Sequence, residues 1–148
     1  MIRVIARNDT MYLENLFSTD FAGEEKRDTS EDILCGVCIT SACMVANGNV
    51  YPCPGWQGYV CGNANKKPLR EIWERSPEVK YLRGLRKKDF PLCVTCPDKF
   101  FCNLCILRNA SEAGGDMFKI NEHFCKVAAL NRKVAMEWKE KQLGIVNR

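Results

Sequence analysis

The residues most able to do chemistry in this 148-residue chain are its ten cysteines, all between Cys35 and Cys125, so that the 34 residues before and the 23 after carry none. Such a density in a short chain means disulfides or metal. The N-terminus (MIRVIARNDTMYLEN) has no secretory-signal pattern, and no run of 18 apolar residues suggests a membrane span. The chain is therefore expected in a reducing cytoplasm, where thiols stay free or bind metal. Two groups stand out. Cys93, Cys96, Cys102 and Cys105 lie in CVTCPDKFFCNLC, with Cys125 beyond. Cys35, Cys38, Cys43 and Cys53 come earlier, with Cys61 trailing. Cysteines two residues apart suit metal because one short turn lets both thiolates face the same ion or cluster edge. Two such pairs, 93/96 and 102/105, could hold a tetrahedral zinc, but five residues between pairs is short for a zinc ribbon, and six cysteines are left over. Iron–sulfur clusters take four thiolates each, so two clusters would leave only two spare. Spacing alone leaves zinc and iron–sulfur both open.

The elements that must position these cysteines give an α+β expectation: a small β-hairpin, short helices and a C-terminal helix around cysteine-ligated metal. Residues 2–6 (IRVIA) read as a short strand, Asn8 to Phe17 as irregular or a helical turn, and 18–32 as a polar loop. SACMVANGNVYPC reads as a hairpin turning at Asn47-Gly48. A two-residue loop would pair Ala46 with Asn49, Met44 with Tyr51 and Cys43 with Pro52. Cys53 would then share a face with Met44 and Tyr51 while Cys43 points to the other, and the two could not bind one metal unless a bulge intervenes. A short helix is expected from Pro68-Leu69, with Leu69, Ile72 and Trp73 on one face. A second follows Ser76-Pro77, with Val79, Tyr81, Leu82 and Leu85, and ends at Phe90-Pro91. Segment 93–105 is too crowded with cysteines to be regular, and Gly114-Gly115-Asp116 reads as a turn. A helix from about Glu122 to Leu143 carries Phe124, Val127, Ala128, Val134, Ala135 and Trp138 at helical spacing, with its aromatics expected in a core, and Gly144 stops it.

The formal net charge is +4, but acids are interleaved with the lysines and arginines (EEKRD, REIWERSPEVK, MEWKEK), which argues against nucleic-acid binding. Each bound [4Fe–4S]2+ core with four thiolates would add about −2 (2 − 4), bringing the sum near neutral for two clusters. His123, the single histidine, lies two residues before Cys125, with a surface or packing role outweighing one in tuning a metal site. No orienting third group accompanies it for Cys–His nucleophilic catalysis, and Asp116 and Glu122 show no paired-carboxylate logic.

The cysteine order resembles the SPASM domain, the auxiliary iron–sulfur domain of many radical S-adenosylmethionine enzymes. Gly48-NVYP-Cys53 matches that family's glycine-to-cysteine step, with Cys35 and Cys38 both in the permitted range before the glycine. Cys93-VT-Cys96-PDKFF-Cys102 matches the dense segment, GNANKKPLREIW (62–73) its connecting segment, and Cys125 its closing cysteine. The step from Cys102 to Cys105 has two intervening residues where the family has three, and there are three cysteines beyond the family's seven.

The resemblance implies two [4Fe–4S] clusters with crossed ligation, Cys35, Cys38, Cys53 and Cys105 on the first and Cys93, Cys96, Cys102 and Cys125 on the second. Cys105 would then staple the two halves, and folding would depend on the metal. Hairpin parity favours Cys38 over Cys43, and Cys43 and Cys61 would be buried free thiols. The implied role is electron transfer or substrate engagement for a radical S-adenosylmethionine catalytic domain or protein acting on peptides or proteins, with no nucleic-acid or membrane partner. The Cys-x3-Cys-x2-Cys loop and barrel of such a catalyst do not occur here. The chain is therefore expected to be non-catalytic alone, with 1–32 a flank or remnant of a preceding domain, 33–128 the cluster domain and 129–148 a helical extension. The rival is a zinc-binding structural or interaction module.

Overall fold

A computed structural model of the chain describes residues 28–142. The strand expected at 2–6 and the segment expected from Asn8 to Phe17 lie outside them. Among the described residues the elements are β1 (Cys43–Met44), β2 (Asn49–Tyr51), β3 (Gly62–Asn63), α1 (Leu69–Arg75), α2 (Pro77–Gly84), α3 (Pro91–Val94), α4 (Ile106–Glu112) and α5 (Glu122–Gln142). Single 3-10 turns occupy Lys87–Asp89 and Lys99–Phe101. The fold is α+β.

The three strands form an antiparallel sheet in the order β1-β2-β3. Its hairpin corrects the expected register. Cys43 pairs with Tyr51 and Met44 with Val50, one residue off the expected pairing. The loop holds three residues, Ala46 to Gly48. The Gly48 N–H donates to the Val45 carbonyl at 2.8 Å, and Gly48 takes φ +84°. This is a type I turn closed by a left-handed bulge glycine rather than the two-residue turn that Asn-Gly usually favours. The tip is held by the segment after Cys61. The Asn63 side-chain amide donates to the Asn47 carbonyl and the Asn49 side chain, Asn65 donates to the Asn47 carbonyl, and the Ala64 N–H donates to the Gly48 carbonyl. Clamping by a third strand, β3, that the sequence did not signal fixes the longer loop.

Contacts divide the chain into two compact units. One comprises Thr29–Pro91 with Leu104–Ile120. Its apolar interior includes Val50, Trp56, Ile72, Val79, Leu82, Phe90 and Ile106. A Cβ on Gly62 would stand 2.9 Å from Ile72, so β3 lies directly on α1. Helix α1 begins after Pro68 as expected, but it buries Ile72 while Leu69 stays half exposed. The Ser76 hydroxyl caps α2 by accepting from Val79 N–H, and the helix stops at Gly84, short of the expected Phe90-Pro91. The polar stretch before the cysteines ends pinned rather than loose. The Lys87 and Lys88 N–H groups donate to the Asp32 and Ser30 carbonyls, beside the Lys87–Asp32 and Lys88–Glu31 ion pairs. Helix α4, unanticipated from sequence, buries Ile106, Asn109 and Ala110, and the Asn109 amide donates to the Met117 carbonyl. Gly114 (φ +66°) and Gly115 (φ +102°) end it, the Gly115 N–H returning to the Ala110 carbonyl.

The other unit comprises Leu92–Asn103 with the described residues of the C-terminal helix, from 121 onward. Helix α5 buries Ala128 and Ala135. Phe101 packs on Ala135, and Asn131 donates to the Phe101 carbonyl. The larger residues expected in its core face outward, with Val127 39%, Val134 45% and Trp138 40% exposed. Small residues let the helix approach the cysteine segment closely, and the bulky ones are displaced from that face.

A substitution series tests the hairpin. Ala at Gly48 must adopt a left-handed backbone, costing about 1–2 kcal/mol, and its Cβ would also meet the Asn65 amide at 2.6 Å. Ala at Gly114 meets nothing within 4 Å and carries the backbone cost alone. Chemical denaturation is expected to show Gly48→Ala as clearly more destabilising than Gly114→Ala.

Candidate metal centre

All ten cysteines are free thiols, and the two units sort the eight candidate ligands. Cys35, Cys38, Cys53 and Cys105 lie in the unit Thr29–Pro91 with Leu104–Ile120. Cys93, Cys96, Cys102 and Cys125 lie in the other. The chain enters the second unit at Leu92, returns to the first at Leu104 and leaves again after Ile120. Cys102 and Cys105, three residues apart, therefore belong to different units.

In the first quartet, Cys35 sits at an exposed turn, and Cys53 and Cys105 are half-buried. Partial burial, then repulsion from Cys105, Cys53 and Cys38, pushes the Cys35 thiol pKa upward, opposed by a hydrogen bond from the Val37 backbone. Cys38 is buried and is the only described non-glycine residue with positive φ, at 56°. Its N–H donates to the Ser41 carbonyl, and its own carbonyl accepts from Arg83 Nε at 2.8 Å. The hairpin positions Cys53 just beyond β2, and Cys105 directly precedes α4.

Parity no longer separates Cys43 from Cys53. In the observed register Cys43 faces Tyr51, so simple alternation would put Cys53, two residues on, on the same side as Cys43. The bulge is the intervening feature that sequence parity left as an exception. What groups the thiols is the electrostatic neighbourhood of Cys35, drawn from three separate stretches of chain. Cys61, expected among the spare thiols, is buried against Cys38.

The second quartet is built by one turn and one helix face. The Cys96 N–H donates to the Cys93 carbonyl at 3.3 Å, closing the Cys-x2-Cys turn, and the Asp98 N–H donates to Cys96 Sγ at 3.4 Å. On α5, Cys125, Ala128, Arg132 and Ala135 recur at three- and four-residue spacing and so share a face. Ala135 on that face packs on Phe101, and Arg132 approaches Asp98 at 3.6 Å. The face that carries Cys125 thus lies against the cysteine segment. Partial burial, then repulsion from Cys102, Cys125 and Cys96, raises the Cys93 pKa to about 11. Partial burial, then Cys96, Glu122 and Asp98, raises that of Cys125.

Both quartets fit a positively charged sulfide-bridged core. At Cys35, Cys93 and Cys125 burial and neighbouring cysteines disfavour the bare thiolate, a cost that bound metal would offset. Among the described residues no three His, Cys, Asp or Glu side chains converge tightly enough for one metal ion. The described residues also include no helix long and apolar enough to cross a membrane.

Residues 35–97 match the family model of SPASM, an iron–sulfur cluster-binding domain. No curated protein matches the chain, and no solved structure does.

The raised Cys93 pKa has a measurable consequence. Between about pH 9 and about 11 the unfolded chain has shed a proton that the folded site keeps. Stability of the metal-free protein is therefore expected to fall across that window. Iodoacetamide labelling of Cys93, followed by mass spectrometry, is expected to keep accelerating toward about pH 11, where an ordinary cysteine levels off above about pH 9. Levelling near 9 would contradict the crowded site.

Proposed function

We propose, from the premise that residues 35–97 form a SPASM iron–sulfur cluster-binding domain, that this chain holds two auxiliary [4Fe–4S] clusters and relays electrons for a radical S-adenosylmethionine catalyst. The first cluster takes Cys35, Cys38, Cys53 and Cys105, and the second takes Cys93, Cys96, Cys102 and Cys125. The sorting of these eight cysteines into two units, four in each, carries this reading. The electrostatic neighbours of Cys35 and of Cys93, each drawn from its own quartet, support it. The cluster domain then runs past residue 97, from about 33 to 128, with 129–148 as a C-terminal extension and 1–32 as a flank.

A [4Fe–4S] group supplies reversible one-electron storage when bound. The chain's own residues set its environment. Four thiolates per quartet leave no iron open to substrate, which favours relay over substrate ligation. The Asp98 N–H on Cys96 Sγ stabilises negative charge on that sulfur. The substrate of the partner catalyst is a peptide or protein, and the free thiols suit the reducing cytoplasm.

Anaerobic reconstitution is expected to give a brown protein with broad absorption near ~400 nm and about eight iron and eight sulfide per chain, four of each per cluster. Cys53→Ala is expected to remove about half of that iron, and Cys43→Ala none. A protein that retains zinc and takes up neither iron nor sulfide would overturn the reading in favour of a zinc-binding structural module.

A further inference from the structure

Between β3, the turn after it, α1 and the start of α2 lies a cleft of about 270 Å³ that none of the eight candidate ligands lines. Its floor is apolar. Ile72 is 2% exposed, and Gly62 lies on it without a side chain, where a Cβ would stand 2.9 Å away. The rim is charged and held by local bonds. The Lys66 and Lys67 N–H groups both donate to the Asn63 carbonyl, closing the turn that carries the two lysines. Arg75 stands in the last turn of α1. Lys66, Lys67 and Arg75 face the cleft together with Glu71 and Glu78, three cations against two carboxylates. Both carboxylates are engaged. Glu71 Oε1 lies 3.4 Å from Lys67 Nζ, and Glu78 Oε2 accepts from the Ser76 hydroxyl at 2.6 Å. Lys66 and Arg75 make no ion pair among the described residues. One positive charge is therefore in surplus above an apolar floor.

We propose that this cleft binds an acidic residue of a peptide, its carboxylate on Lys66 and Arg75 and its methylenes on Ile72. The peptide source rests on the reading above that the partner catalyst acts on a peptide or protein. Size and charge select the occupant. The volume lies below the roughly 300–1,000 Å³ of small-molecule pockets, so it suits one side chain with adjoining backbone rather than a nucleotide or a whole cofactor. A single surplus charge matches one carboxylate, whereas a phosphate dianion would bring its second charge against Glu71 and Glu78. The Arg75 guanidinium offers paired N–H donors to a carboxylate, and Lys66 adds a point charge. The bond from Ser76, then one from its own backbone N–H, holds Glu78 below the usual carboxylate range, so that it stays ionised on the rim and opposes a second anion. The cleft lies in the stretch between Cys53 and Cys93, so an occupant displaces no cluster ligand.

The test uses the full chain after anaerobic reconstitution, its iron content and isothermal titration calorimetry. The probe is a capped pentapeptide, acetyl-Ala-Leu-Glu-Leu-Ala-amide, with the peptide carrying glutamine in place of glutamate as its neutral counterpart and acetate as a free carboxylate. At low salt the glutamate peptide is expected to bind about tenfold more tightly than the glutamine peptide. In about 1 M salt, where screening acts within ~3 Å, that preference should vanish. Arg75→Gln and Lys66→Gln are each expected to weaken the glutamate peptide several-fold with iron unchanged, and Glu78→Gln to tighten it. Lys66→Gln carries the test should Arg75→Gln fail to load. Opposite effects of removing a cation and removing an anion would not follow from a loss of fold. Equal binding of the two peptides at full iron, or binding unmoved by the variants, would overturn the inference and leave the cluster assignment intact. Acetate binding as tightly as the glutamate peptide would overturn the peptide occupant. Charge-dependent peptide binding by a native chain that takes up no iron would support the cleft and overturn the cluster reading alone.

Discussion

Four thiols brought into one partly dry place repel one another as soon as they ionise, and this constraint shapes both halves of the molecule. The cost is visible at Cys35, Cys93 and Cys125, whose pKa values are all raised by burial first and neighbouring groups second. Apolar burial alone is a poor device for collecting such groups. The chain holds them through backbone geometry: the Cys93–Cys96 turn, the left-handed Cys38, the hairpin end before Cys53 and the helix face carrying Cys125. Bound metal would offset that repulsion, as it does in small cysteine-rich domains that couple cofactor uptake to folding.

The path of the chain follows from the same constraint. Segment 92–103 and helix α5 make one unit, while Leu104–Ile120 returns to the other. The return begins one residue before Cys105 and is anchored by α4, which buries Ile106, Asn109 and Ala110. The Gly114-Gly115 terminus then releases the chain toward Cys125. On α5, alanines at 128 and 135 hold the helix close, so that Cys125 shares the face turned to the cysteine segment. Bulkier residues at those two positions would lift it away.

Much of this was legible in the sequence, because cysteine spacing is covalent information that folding cannot alter. The order from Cys35 to Cys125, the Gly48-to-Cys53 step, the helices after Pro68 and Ser76 and the long C-terminal helix all follow from local pattern. What was not legible depended on tertiary partners. Asn47-Gly48 favours a two-residue loop in isolation, but bonds from Asn63, Ala64 and Asn65 to the hairpin tip accompany a three-residue loop with Gly48 left-handed. That single-residue shift removed the parity argument against Cys43. On α5 the expected stripe holds at Ala128 and Ala135, which are buried, while its larger members Val127, Val134 and Trp138 stay substantially exposed, because the small residues make the close contact.

The central claim is that two crossed quartets hold the clusters, so the sharpest measurement compares double substitutions that share or split a quartet. Iron and sulfide analysis after anaerobic reconstitution should show that Cys53→Ala with Cys105→Ala retains about half the native iron, since both changes fall on one four-thiolate site. Cys102→Ala with Cys105→Ala, though only three residues apart, should lose nearly all of it. Retention of half the iron by the second pair and loss of all by the first would contradict the crossed arrangement.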